Sequence, residues 1–76
     1  MKKIERENYI SFFNDIISSN SQQVIEVTTF NYDTIIGVVS AFKENHPDGP
    51  LVLVEEEDGM VNEIELAFIF EVLLVE

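Results

Sequence analysis

The sequence predicts a mainly β fold with one N-terminal α-helix, in which five short strands bend into a small barrel and the helix caps it. Three observations predict this. Apolar residues recur at helical spacing between Tyr9 and Ile17, and not in the same way afterwards. From Gln23 onward β-branched residues dominate and the apolar period shortens. Turn signals then punctuate the chain at short intervals. Five strands of roughly 35 residues in total close most economically as a strongly bent barrel.

The helix comes first. Tyr9, Phe12, Phe13, Ile16 and Ile17 keep the i, i+3, i+4, i+7, i+8 pattern, while Glu5, Glu7, Ser11, Asn14 and Asp15 fall mostly opposite. An aromatic stripe this wide must be covered, and the open end of a barrel would cover it; the alternative is that Tyr9, Phe12 and Phe13 fill a partner's groove. Ser18–Ser21 ends the helix, because Ser and Asn side chains compete with the helical backbone. The chain reads as a single domain, with the helix in residues 1–20 and the barrel in residues 23–76.

The strands come next. Val24–Phe30 alternates, with Ile25, Val27 and Thr29 on one face and Glu26 and Thr28 on the other. Asn31–Asp33 is a short turn. Thr34–Lys43 is a longer strand, and Gly37 inside it marks a bend or bulge. Glu44–Pro50 is a loop with two prolines and a glycine. Leu51–Glu55 is a buried strand. Asp58-Gly59 is a hairpin signal before Met60–Leu66, and Ile69–Val75 closes the barrel.

This order resembles the Sm-like barrel, a relative of SH3-type barrels. One resembling stretch runs from Val27 to Leu53: a strand, a polar turn, Gly37 in the second strand, a loop, then Leu51-Val52-Leu53. The other is Ile64-x-Leu66-x-x-Ile69-x-x-Val72, similar to the closing pattern of many Sm-like chains. Among small bacterial proteins the chain looks most like the YolD-like family, and also like the acidic Sm-like inhibitors of the transcription terminator Rho, the Rof family. That second likeness rests on helix, barrel and negative charge. RNA-binding Sm proteins place an aromatic or Met before Asn after the second strand, and a basic residue with Gly near the last turn. Here those regions read Phe42-Lys43-Glu44-Asn45-His46 and Leu66-Ala67-Phe68. Only Lys43 and Asn45 stand as remnants, so the RNA site does not carry over.

Charge restricts the function classes. Acidic residues outnumber basic ones 15 to 4, for a net charge of −11. Nucleic-acid binding depends on Lys and Arg neutralising phosphates, so direct binding to DNA or RNA is not expected. An anionic membrane surface is disfavoured for the same reason. Three of the four cations, Lys2, Lys3 and Arg6, lie in the first six positions; residues 7–76 hold 14 acids against Lys43 alone. The barrel surface is therefore anionic. Such a field serves solubility in an apolar chain, or it serves a basic partner. The densest run is Glu55-Glu56-Glu57-Asp58-Gly59. It lacks the spacing of an EF-hand calcium loop. It reads as a solvated hairpin or as a partner surface.

Little else carries chemistry. Cysteine is absent, His46 is the only imidazole, and no nucleophile motif occurs, so no catalytic residue, metal or cofactor is expected. Met1-Lys2-Lys3 does not lead into an unbroken apolar run, which points away from a secretory leader and towards the cytoplasm. The last strand carries large apolar side chains on both faces. The set Phe70, Val72 and Leu74, or its opposite, must be covered by the helix or by another chain. The Sm-like resemblance implies association through edge strands, the fourth of one subunit pairing with the fifth of the next, so a homo-oligomer or an obligate partner is expected.

The sequence thus points to a non-catalytic, regulatory protein-binding module of Sm-like fold. Its partner-binding residues would be Glu55, Glu56, Glu57, Asp58, Phe70, Val72 and Leu74. The alternative is a nucleic-acid mimic, of the kind a phage or mobile element carries, that blocks a basic DNA- or RNA-binding enzyme.

Overall fold

The computed structural model describes residues 1–76 and contains six strands, one more than the sequence predicts. In chain order they are β1 (Lys2–Ile4), β2 (Val24–Thr29), β3 (Thr34–Lys43), β4 (Leu51–Glu55), β5 (Val61–Glu65) and β6 (Ile69–Leu74). The one α-helix, α1 (Tyr9–Ser18), lies between β1 and β2 and comes directly after a 3-10 turn at Arg6–Asn8. All strands join one sheet in the order β1-β6-β2-β3-β4-β5, with every neighbouring pair antiparallel.

The extra strand corrects the reading of residues 1–20 as one helical segment. Lys2, Lys3 and Ile4 pair with Leu74, Leu73 and Val72. A three-residue strand is too short to show alternation, and its partner is at the other end of the chain. Local periodicity therefore could not reveal it. The expected open edge also moves. A barrel of five strands leaves its last strand free to pair with another chain, but here β1 flanks β6 on one side and β2 on the other. The sheet's open edges belong to β1 and β5.

The sheet curls strongly. Only the 3-10 turn Leu66–Phe68 separates β5 from β6, yet three strands lie between them in the sheet. In a flat sheet four inter-strand steps would span about 19 Å. Four Cα–Cα steps reach at most about 15 Å. The short connection therefore holds the two strands closer than a flat sheet allows. The turn is tied at both ends: Leu66 N–H donates to Pro50 O at 3.0 Å, and Phe30 N–H donates to Phe68 O at 2.9 Å.

Gly37 and two bulges accommodate the curvature. A Cβ at Gly37 would lie 2.2 Å from the backbone oxygen of Glu55, so β3 and the end of β4 approach this closely only because position 37 has no side chain. On β3 the register steps from Val39↔Val54 to Ala41↔Leu53, which leaves Ser40 as an extra residue. On β6 it steps from Thr28↔Glu71 to Thr29↔Ile69, which leaves Phe70 as an extra residue. Each bulge inverts side-chain parity along its strand. Hence Ile69 and Val72, three residues apart, both point into the core.

The core has 13 buried residues, drawn from α1 and all six strands, with Leu66 from the closing turn. Phe13 is its centre on the helix side. It is fully buried, with Phe12 at 5.3 Å, Phe42 at 5.4 Å and Tyr9 at 6.2 Å between ring centroids. Burying one such side chain contributes about 1.5–3 kcal/mol. The aromatic stripe is thus largely covered, and Ile17 at its margin stays 41% exposed. No helix is long and apolar enough to cross a membrane.

Candidate functional site

The hairpin between β4 and β5 is well defined. Glu56 N–H donates to Met60 O at 2.8 Å, and Gly59 N–H donates to Glu56 O at 2.9 Å. Gly59 adopts φ +90, which glycine accepts without strain. Asp58 Oδ1 accepts from Met60 N–H at 2.9 Å, and Glu56 Oε2 accepts from Asn62 Nδ2 at 2.8 Å. These contacts hold the acidic run in one place.

The hairpin forms one wall of an open groove of about 890 Å³. The end of α1, the loop to β2 and the middle of β3 form the rest. Its lining includes Glu55, Glu56, Glu57 and Asp58 and contains no Lys, Arg or His. Three exposed apolar residues add a hydrophobic component: Ile17 at 41%, Val24 at 36% and Ile36 at 48% exposure. The C-terminus of α1 faces the same groove, and its last turn carries no basic residue.

The predicted partner residues divide. Glu55–Asp58 come together in the groove. Phe70, Val72 and Leu74 do not make a common exposed face. Val72 is fully buried in the core, and Leu74 is half-buried against it. Phe70 is 53% exposed and packs edge-on against Phe30 at 5.6 Å. The bulge at Phe70 is the reason, because it breaks the alternation that would have put the three side by side. The sequence singles out Ile17 only as part of the helix's apolar stripe and does not single out Val24 or Ile36, since each belongs to a different element and only the fold assembles them.

The N-terminal cations also divide. Lys2 and Lys3 are exposed on β1. Arg6 donates from Nη2 to Ile69 O and lies over the rings of Tyr9 and Phe30, at 5.4 and 5.7 Å. Burial pushes the Tyr9 phenol above its ordinary pKa; the Arg6 charge opposes this, and Glu71 and Glu5 reinforce it. Lys43 is exposed at the end of β3, and Asn45 is exposed in the loop beyond. His46 sits in that loop too, its Nδ1 accepting from Asp48 N–H at 3.3 Å. No group of three or more His, Asp or Glu side chains is placed to hold a metal ion. No family model, curated protein or solved structure matches the chain.

Proposed function

We propose that this chain is a non-catalytic, regulatory protein-binding module, built as a small Sm-like barrel, that receives a basic region of a partner protein. The observation that carries the reading is the gathering of Glu55, Glu56, Glu57 and Asp58 around a groove with no cation in its lining. A basic partner would relieve this self-repulsion and would be steered to it. The barrel assignment draws support from the sheet order β6-β2-β3-β4-β5 and from the 3-10 turn that joins β5 to β6. Self-association through strand edges, if it accompanies this role, would use β1 and β5.

The test compares tagged wild-type protein with the triple variant Glu55→Lys, Glu56→Lys, Glu57→Lys as bait in host lysate. The wild type is expected to retain a partner that the variant loses, with circular dichroism unchanged. Equal retention by both would refute the reading. The mimic reading draws on the net charge of −11. It adds one expectation, that DNA or RNA displaces the retained partner.

A further inference from the structure

Resting on the reading above, we infer that the groove takes a cationic amphipathic segment, a short stretch of protein with apolar residues on one side and Lys or Arg on the other, and not a merely basic one. The groove is two-sided in chemistry. Glu55–Asp58 supply negative charge along the hairpin wall. Ile17, Val24 and Ile36 supply apolar surface from the helix, β2 and β3. The three side chains line one groove instead of lying scattered, and a polar rim beside apolar surface is the layout of a protein interface.

The two halves do different work. Charge brings the segment in and is screened by salt, with a Debye length of about 10 Å at 0.1 M. Apolar burial holds it, and that contribution does not screen. A purely polybasic chain would satisfy the first half only. A neutral apolar segment would satisfy the second and leave four carboxylates unpaired. A segment with both fits the whole lining.

The experiment measures fluorescence anisotropy with three labelled synthetic peptides. One is a Lys/Leu peptide amphipathic at helical spacing, the second is its scrambled sequence, and the third is an all-Lys peptide of equal charge. Each is titrated with the wild type, with Glu56→Lys/Glu57→Lys, and with Ile36→Thr, which keeps a β-branched residue in β3. The amphipathic peptide is expected to bind the wild type at least tenfold more tightly than either control. Both variants are expected to weaken it at least fivefold. Equal binding of all three peptides, sensitive to Glu56→Lys/Glu57→Lys but not to Ile36→Thr, would overturn this inference and leave the acidic-module reading standing. No binding of any peptide to the wild type, or affinity indifferent to the charge reversal, would overturn both.

Discussion

The guanidinium of Arg6 donates a hydrogen bond to the backbone carbonyl of Ile69, tying the N-terminal segment to the first residue of β6. The same group lies over Tyr9 and Phe30, so one cation joins the start of α1, the turn after β2 and the start of β6. This residue fastens the fold, whereas Lys2 and Lys3, its fellow cations in the first six positions, are exposed on β1.

Arg6→Ala should therefore destabilise the fold. Arg6 is largely exposed, so this hydrogen bond contributes the ordinary net value of about 0.5–1.5 kcal/mol. A loss in that range shifts the melting temperature of so small a domain by about 4–8 °C per kcal/mol. Arg6→Lys should recover only part of it, because an ammonium lacks the planar face that covers two rings. Thermal melts of the three proteins check this. An unchanged melting temperature in Arg6→Ala would show the contact to be idle.

Gly37→Ala should cost about 1–3 kcal/mol, the usual range for overpacking. The added Cβ would meet the backbone oxygen of Glu55 at 2.2 Å, and a paired strand cannot yield as a flexible side chain would. Urea denaturation gives the value. The companion Ser40→Ala, at the exposed bulge of β3, should fall near zero.

The middle of the sheet is the part most legible in the sequence. Thr34–Lys43 and Leu51–Glu55 form strands at their expected bounds, because alternation, Gly37 and the Pro/Gly loop all act locally. The ends are less legible for two physical reasons. β1 has only three residues and gains its identity from Val72–Leu74, far along the chain. The bulge at Phe70 adds one residue and so swaps the faces of the residues beyond it, which takes Val72 from an expected partner surface into the core. Half of the candidate site is legible. The acidic run is contiguous and visible. The apolar wall is assembled from Ile17, Val24 and Ile36 and has no signature in any single segment.

Deleting Met1–Ile4 should convert β6 into an open edge. Unpaired edges template pairing with another chain. The shortened protein should associate with itself more strongly than the full chain at equal concentration. Sedimentation velocity measures this. A shortened protein that folds and shows the same sedimentation as the full chain would mean that β1 does not guard the edge.

Tyr9 should give the fold an alkaline dependence. Its folded pKa is raised, chiefly by burial. The unfolded phenol ionises near about 10. Stability linked to this group is therefore fully present below that pH and is lost as pH rises through the higher folded value. A difference ultraviolet titration between wild type and Tyr9→Phe isolates the group. Its inflection should lie above the ordinary phenol range, and an inflection at or below it would contradict the burial argument.

The proposed function rests on partner entry at the groove beside the β4–β5 hairpin. The most direct measurement is a two-dimensional nitrogen–proton NMR titration of the labelled protein with the cationic amphipathic peptide. Entry at the groove would give saturable shifts centred on Ile17, Val24, Ile36 and Glu55–Asp58, with the Phe30–Phe70 end unmoved. Shifts centred on Phe30, Phe68 and Phe70, with the hairpin silent, would contradict it.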